Sequence, residues 1–466
     1  YGNNANPVID NCAISGNSQS GVYARSSSAP TISNSTISGN SSYGIRVNNN
    51  ADATIASTTI SNNSSYGIRS YYSGDIAISG STISGNSSGG IRGYYSYGDV
   101  TISGTTISGN SGDGITYYHA YSGSSLTVSG SIISSNSGTG IQITYPQTAL
   151  AFSITNNTIS SNSGHGIYYD NSSIDYVSSP LPTITNNTIT ANSSYGIRLS
   201  SSHSVATINY NNIYENSGSY DLYSAVTYQE VDARFNYWGL TTTVIMGIAS
   251  NPKNISRIYD YHDNSSYSLV NYAGWLDGVD GSPTSAVGTT ATAALTNSSY
   301  TSVTYYESTD TAVYIEVTDA DLNTSASTAD TAAVSIATDT ETASSVTESV
   351  TLTETGADTG IFRGSIPFSV GGSAGSDGTL AASVGDTVTL TYGDAANDWG
   401  ASVTVTDTAT VVGTVVVGTI GNVTWTTSAS PYLIIGDVTV LSNTSLTIDA
   451  GVKVLFLARE DLLQSG

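Results

Sequence analysis

Residues 35–45 read Ser-Thr-Ile-Ser-Gly-Asn-Ser-Ser-Tyr-Gly-Ile, and variants of this phrase occur nine times before residue 225. Each copy is anchored by an Ile that is followed by an Asn after three residues and by a second apolar residue after eight or nine. A period of 23 to 30 residues is typical of stacked units that cannot bury their apolar faces alone. The anchors are Ile14, Ile37, Ile60, Ile83, Ile107, Ile133, Ile159, Ile189 and Ile213.

Each period contains three short apolar segments, which indicates three strands per unit. One lies five residues before the anchor, one contains it, and one contains the later apolar residue. Alternation such as Thr-Ile-Ser places one side chain inward and its neighbours outward. Because Ser, Thr, Asn and Gly favour turns or extended backbone, the sequence predicts an all-β fold without helices. Stacked at about 4.8 Å per coil, such strands form a parallel β-helix with a core of isoleucine rows.

The Asn of the phrase holds one position in every coil, directly after the anchor strand. Stacked amides in register can hydrogen-bond along the axis, and Asn also tolerates left-handed turn geometry. We therefore predict a structural Asn ladder, and the sequons that it creates are weak evidence for glycans. Its members are Asn17, Asn40, Asn63, Asn86, Asn110, Asn136, Asn162, Asn192 and Asn216.

These repeats resemble the right-handed parallel β-helix family of pectate-lyase-like and NosD-like surface proteins, over residues 1 to about 277. The aromatic stretch at residues 235–239, together with residues 251–263 and 275–276, resembles that family's closing segment. The resemblance implies a right-handed β-helix of about nine to ten coils in residues 1–280, closed by an aromatic cap. A cap is physically reasonable because a bare end strand exposes unpaired backbone groups.

Composition favours a secreted structural protein at the cell surface. Only 10% of the 466 residues are charged, the net charge is −24, and no stretch reaches the roughly 18 apolar residues of a membrane span. The single Cys12 cannot form an intrachain disulfide, so stability must come from the stacked coils. Because the one Met is Met246, we expect Tyr1 to result from processing or excision, with any signal peptide removed.

A change of character near residue 280 marks a second domain, residues 281–418. Residues 281–466 contain 20 acidic and 3 basic groups, net −17, whereas residues 1–280 have a net charge of −7. Alternating strands separated by Gly, Asp and Asn turns predict an Ig-like β-sandwich. Residues 318–323 and 354–363 resemble Ig-like modules of prokaryotic surface and S-layer-like proteins.

An acidic cluster in this second domain predicts a calcium site, since calcium prefers carboxylate and carbonyl oxygens. Its spacing is similar to the start of an EF-hand loop, although the Gly and Glu expected later in such a loop are absent. The alternative is a turn in which the side chains cap backbone amides. The candidate ligands are Asp319, Asp321, Asn323, Asp330, Glu354 and Asp358.

Residues 419–466 resemble the opening coil of a β-helix in this family, yet no helix follows, while the chain begins in mid-repeat. We therefore expect this segment to stack on the first coil of the next unit, which is a separate chain or a successive repeat. Such a heterologous contact generates an open filament if it does not close a ring. The alternative is folding back onto the chain's own helix. The predicted interface residues are Pro7, Val8, Ile9, Ile14, Val438, Val440, Leu446, Ile448, Val452, Val454 and Phe456.

This pattern predicts a non-enzymatic structural subunit of an extracellular filament, sheath or surface layer. Relatives of this fold cut polysaccharides, and hydrolases need convergent carboxylates. Here the charges recur coil by coil as solvated ladders and form no unique constellation. They are Asp52, Asp75 and Asp99 in one row and Arg46, Arg69 and Arg92 in another.

A secreted adhesin or glycan-binding protein is the second hypothesis, because flat aromatic rows suit sugar rings as well as subunit contacts. The four histidines, His119, His165, His203 and His262, lack metal-ligand spacing. The acidic balance argues against nucleic acid. The tyrosines predicted to form the stripe are Tyr71, Tyr72, Tyr94, Tyr95, Tyr117, Tyr118, Tyr168 and Tyr169.

Overall fold

The computed structural model describes residues 2–118, 124–144, 151–172, 180–248, 251–285 and 287–456. It divides into two compact units, residues 1–286 and 287–466, and each is described by itself. Both units are built mainly from β-strands, which confirms the all-β prediction.

Three parallel sheets run along the first unit, and each coil contributes one strand to each sheet. Sheet A consists of Gly2–Asn3, Val22–Arg25, Ile45–Asn48, Tyr66–Tyr71, Gly89–Tyr94, Ile115–Tyr118, Ile141–Thr144, Ile167–Asp170, Ile197–Leu199, Leu222–Ser224 and Ile258–Tyr259. Sheet B consists of Val8–Asp10, Thr31–Ser33, Ala53–Ala56, Ile76–Ser79, Val100–Ser103, Ser125–Ser129, Ala151–Thr155, Thr183–Thr185 and Thr207–Asn209. Sheet C consists of Ala13–Ser15, Thr36–Ser38, Thr59–Ser61, Thr82–Ser84, Thr106–Ser108, Ile132–Ser134, Thr158–Ser160, Thr188–Thr190 and Asn212–Tyr214.

Register between coils follows the sequence repeat. Ile37 pairs with Ile60 in sheet C, and Ile32 pairs with Ile55 in sheet B, each 23 residues apart. These side chains stack inward and are fully buried. The predicted parallel β-helix with isoleucine rows is therefore confirmed.

The far end of this unit is covered by the predicted aromatic cap. Tyr237 forms a parallel bridge to Asn212 of the last sheet C strand, and Trp238 is buried beside it. A two-stranded pair, Val231–Asp232 with Val270–Asn271, completes the cover.

Two short helices contradict the prediction of a helix-free chain. Helix α1, Leu240–Met246, lies in the cap, where the sequence between Gly239 and Gly247 has no turn-forming residue. Helix α2, Asp339–Ala343, lies in the second unit and begins where the Thr338 side chain accepts a hydrogen bond from the Glu341 amide at 3.2 Å. Such N-capping outweighs the weak helix propensity of a Thr-rich segment.

The second unit begins with a mostly antiparallel sheet around one hydrophobic core. Its strands follow one continuous path, so the Ig-like assignment stays a prediction. Their order is Thr292–Thr296, Ala312–Thr318, Ile361–Val370, Glu348–Glu354, Thr331–Thr338, Thr387–Asp394, Val403–Val412 and Tyr305–Glu307, with Leu380–Ala382 beside Ile361–Val370.

Residues 414–456 form a small parallel stack that we call the C-terminal coil module. One sheet consists of Thr414–Ile420, Tyr432–Val440 and Val454–Phe456, and a second pairs Val423–Trp425 with Leu446–Ile448. A single-turn 3-10 helix, Thr427–Ala429, connects two of these strands. Register partners such as Val423 and Leu446 lie 23 residues apart.

Candidate functional site

The Asn ladder is continuous from Asn17 to Asn216. In each step the side-chain Nδ2 and the backbone N of one Asn donate to Oδ1 of the next, as from Asn63 to Asn86 at 3.0 and 3.1 Å. The same Nδ2 also donates to a carbonyl of the preceding coil, that of Ile37 at 3.2 Å. Each buried amide is thus satisfied by its neighbours, which confirms the structural prediction.

A second ladder, which the sequence reasoning missed, occupies the turn between sheets B and C. Asn157 donates from Nδ2 to Oδ1 of Asn187 at 3.0 Å, and Asn187 donates to Asn211 at 2.9 Å. Hydroxyl groups replace the amides in earlier coils, as where the Thr105 amide donates to Ser131 Oγ at 3.1 Å. The signal is a polar residue two positions before every anchor Ile, and it was hidden because Ser, Thr and Asn alternate there.

The first coil, residues 4–25, has an open apolar edge. Val8 is 73% exposed, and Ile9 and Ile14 are only half-buried, whereas the corresponding residues of the next coil are fully buried. A cavity of about 360 Å³ at this end of the core is lined by Pro7, Ile9, Ile14, Val22 and other residues.

The C-terminal coil module has an exposed apolar edge of its own. Phe456, in the edge strand Val454–Phe456, is 75% exposed. Two more predicted interface residues, Val440 and Ile448, are 41% and 50% exposed. The remaining four are partly buried and pack against the module's own core, so they are not free for a partner: Val438, Leu446, Val452 and Val454.

The predicted tyrosine stripe is only partly present on the surface. Tyr71 stacks on Tyr94 with ring centroids 5.5 Å apart, and Tyr72 stacks on Tyr95 at 5.0 Å. Tyr97, which was not predicted, stacks on Tyr72 at 5.6 Å. We use the name tyrosine stripe for Tyr71, Tyr72, Tyr94, Tyr95, Tyr97 and Tyr118.

Two members of the predicted stripe point into the core instead. Tyr117 and Tyr169 are 2% and 0% exposed. The cause is the period-two alternation, since the Tyr-Tyr pair moves toward the inward-facing Ile from coil to coil. Tyr168 faces outward in another aromatic group, stacked near His165 at 5.7 Å. Burial lowers the pKa of His165 to about 4.

An open groove of about 900 Å³ lies beside the tyrosine stripe. Its lining includes the rings of Tyr72 and Tyr97 and the carboxylates of Asp52 and Asp75. Aromatic faces next to carboxylates and the amides of Asn49 and Asn50 can take a polar ring such as a sugar.

The Arg row, Arg46, Arg69 and Arg92, is in register in sheet A. Each guanidinium lies over tyrosine rings, as Arg69 does at 4.9 Å from the Tyr71 centroid. We expected Arg to lie opposite Asp, but the described residues show no ion pair between the Arg row and the Asp row, Asp52, Asp75 and Asp99. Each Asp accepts a backbone hydrogen bond from the next coil instead, as where Asp52 Oδ1 accepts from the Asp75 amide at 2.8 Å.

The six proposed calcium ligands are held mainly by backbone groups. Glu354 accepts from the amides of Asp330, Thr359 and Gly360 at 3.0, 2.7 and 2.8 Å, and these bonds lower its pKa. Asp319 accepts from Tyr392 Oη at 2.6 Å.

The other proposed ligands are occupied in the same way. Asp321 accepts from the Thr289 amide, and burial raises its pKa. Asp330 accepts from the Thr324 amide, and Asn323 donates to Asp358. Within the described ranges no group of three His, Cys, Asp or Glu is placed to hold a metal, so the geometry favours amide capping over calcium.

Two family models match the chain. One describes a right-handed β-helix region and matches residues 1–152, and the other describes the periplasmic copper-binding protein NosD and matches residues 90–254. No curated protein sequence matches the chain. Together with the three parallel sheets, the matches support a right-handed parallel β-helix for the first unit.

The described residues do not fit a copper site. Copper in proteins takes imidazole, thiolate and thioether ligands. His165, His203, His262, Cys12 and Met246 form no cluster among the residues that the structure describes. His119 lies outside the described residues. Over the same ranges, the structure contains no helix long and apolar enough to span a membrane.

Proposed function

We propose that this chain is a structural unit of an extracellular filament, sheath or surface layer. The C-terminal coil module of one unit stacks on the first coil of the next, which is a separate copy or a following repeat of one polypeptide. The match to a family described as periplasmic supports a location outside the cytoplasm.

The observation that carries this proposal is the shared coil geometry of the two edges. The C-terminal coil module pairs its strands in parallel with a 23-residue offset, the offset between coils at the start of the β-helix. A parallel edge strand can therefore continue from one stack to the other without a change in backbone pattern. Strand addition of this kind gains affinity from backbone hydrogen bonds, and apolar rows fix the register.

The exposed side chains indicate which contacts stabilise the junction. Phe456 and Val8 are 75% and 73% exposed and would be covered by a stacked coil. Burying a Phe contributes about 2 to 3 kcal/mol, so the loss of this contact weakens association roughly 100-fold.

Electron microscopy and sedimentation of the full chain test the proposal. Wild type is expected to form long fibres with a regular axial repeat. Phe456→Asp and Val8→Asp, which place a charge at either side of the junction, are expected to leave dispersed particles. Val417→Asp is the matched control, because Val417 is 56% exposed in the same module but lies on Thr414–Ile420, at the opposite sheet edge from Val454–Phe456. Fibres that persist in both edge variants would contradict the proposal.

We further propose that the protein has no catalytic role. Asp52, Asp75 and Asp99 each use one oxygen to accept a hydrogen bond from the following coil. A repeated structural role is a sufficient explanation for them. A screen of acidic and neutral polysaccharides for chain cleavage is expected to show none.

Glycan binding is a second candidate function, favoured by the open groove beside the tyrosine stripe. Its aromatic and carboxylate lining is a plausible sugar-binding arrangement. A glycan array tests this candidate, with Tyr97→Ala expected to abolish any signal. Binding that is unchanged in Tyr97→Ala would exclude the groove.

A further inference from the structure

The outer face of coils two to four carries opposite charges on its two sides. The Arg row lies on one side, the Asp row on the other, and the tyrosine stripe between them. The three parts are contiguous, because the Arg69 guanidinium lies 4.9 Å from the Tyr71 ring, Tyr71 contacts Tyr72 at 4.4 Å, and Tyr72 lines a groove with Asp75.

The Arg row has cationic groups without anionic partners. Among the described residues, Arg69 and Arg92 form no ion pair, and the Nε of Arg92 is buried without a hydrogen-bond acceptor. A guanidinium has five N–H donors, so stacking on tyrosine rings leaves most of its hydrogen-bonding capacity unused.

The Asp row has the complementary property. Asp52, Asp75 and Asp99 are all exposed, and the backbone bonds to Oδ1 hold each carboxylate in a fixed place along the coil stack. Both rows advance one residue per coil, at about 4.8 Å per step. Their charges therefore match in spacing as well as in sign.

We propose that this face binds the same face of a second copy, in a symmetric dimer of parallel β-helices. The two-fold axis is parallel to the β-helix axis, so the Arg row of each copy meets the Asp row of the other and the two tyrosine stripes meet at the centre. An antiparallel pair would place Arg against Arg. Opposite-charge matching thus selects the parallel arrangement.

The two kinds of contact have different roles. Exposed ion pairs contribute about 0 to 1 kcal/mol each, so the charged rows set orientation and register more than affinity. The tyrosines contribute most of the contact area, as is common in protein interfaces. Because this surface is lateral, the contact is independent of end-to-end stacking and would join filaments side by side.

Sedimentation of the full chain in a Phe456→Asp background, which blocks end-to-end stacking, tests the dimer. A dimer is expected at about 0.02 M salt, weakened roughly tenfold or more at about 0.3 M, where screening is strong. Arg69→Asp alone should give a monomer. Arg69→Asp combined with Asp75→Arg should restore the dimer, since each copy then again offers both signs.

Disulfide trapping in a Cys12→Ser background tests the orientation. A mixture of Arg69→Cys chains and Asp75→Cys chains is expected to cross-link, whereas Arg69→Cys chains alone should not. A monomer at low salt, failure of the double charge swap, or an Arg69→Cys homodimer would overturn the proposal. Oligosaccharide binding in the groove of a chain that stays monomeric would also overturn it.

Discussion

Asn216 ends the Asn ladder by donating from Nδ2 to Oδ1 of Asp221 at 2.9 Å. Every earlier Asn donates to the Asn of the next coil, so the last donor needs another acceptor. Asp221 is in turn held by Arg257, whose Nε lies 2.8 Å from Oδ2. This arrangement terminates the ladder with a paired charge and joins it to the cap.

The first prediction concerns the middle of the ladder. Asn110→Ala removes a fully buried amide that accepts from Asn86 and donates to Asn136 and to the Ile83 carbonyl. Buried partners left unsatisfied cost about 1 to 3 kcal/mol each, so the free energy of unfolding should fall by about 3 kcal/mol. Urea unfolding measures it. Asn17→Ala is the control, since Asn17 is exposed, and an equal loss in both variants would contradict the ladder's role.

The second prediction concerns the ladder's end. Asp221→Ala leaves Arg257 and Asn216 without their acceptor, and because Asp221 is almost fully buried we expect destabilisation of about 3 kcal/mol. Thermal unfolding measures the loss. The control is Arg234→Ala, which breaks the half-exposed pair with Asp232 and should cost about 1 kcal/mol or less. Equal shifts in the two variants would argue against a special role for this terminus.

The third prediction concerns the Gly that precedes the later apolar residue of each repeat. A Cβ at Gly140 would lie 2.6 Å from the Gly166 carbonyl oxygen and 2.7 Å from Ile159 Cγ2. Because neighbouring coils cannot separate there, Gly140→Ala should destabilise the β-helix by about 2 kcal/mol or more. Gly278→Ala, where a Cβ meets nothing within 4 Å, should be nearly neutral. Chemical denaturation of both variants decides between a packing requirement and general glycine sensitivity.

The fourth prediction concerns acid stability of the second unit. Three backbone amides hold the pKa of Glu354 below its usual value of 4.5. Since the unfolded carboxyl group then protonates first, Glu354 contributes stability above about pH 4.5 that is lost as the pH falls through the lower folded value. Glu354→Gln should flatten the decline of stability below pH 5.

The control for that prediction is Asp437→Asn, which removes one exposed carboxylate from the same unit. Stability is measured by denaturant unfolding at several pH values. A decline that is as steep in Glu354→Gln as in wild type would show that other carboxylates determine the acid sensitivity.

The regular part of the fold could be predicted because each coil repeats the same local problem. The spacing from Ile37 to Ile60 fixes the strands, and the Asn after each anchor fixes the turn, so both appear in the sequence as a period. The second ladder has the same period, but its chemistry changes from Ser131 to Asn157, and a search for identical residues misses it.

The errors occur where side chains depart from the repeat or where contacts are not local. Tyr117 faces inward because its pair is offset by one residue from that of Tyr94, and alternation then reverses its direction. Asp319 and Glu354 are close in type and sequence to calcium ligands, but their partners are Tyr392 and nearby amides that only the folded sheet brings into reach. Composition could not reveal those competitors.

Cryo-electron microscopy of fibres formed by the full chain tests end-to-end stacking most directly. The account predicts that Val454–Phe456 of one unit lies about 4.8 Å from a strand of the first coil of the next unit, with continuous parallel density through the junction. A first coil that is covered by its own chain's C-terminal coil module would contradict it. So would fibres whose units meet through any other surface at their ends.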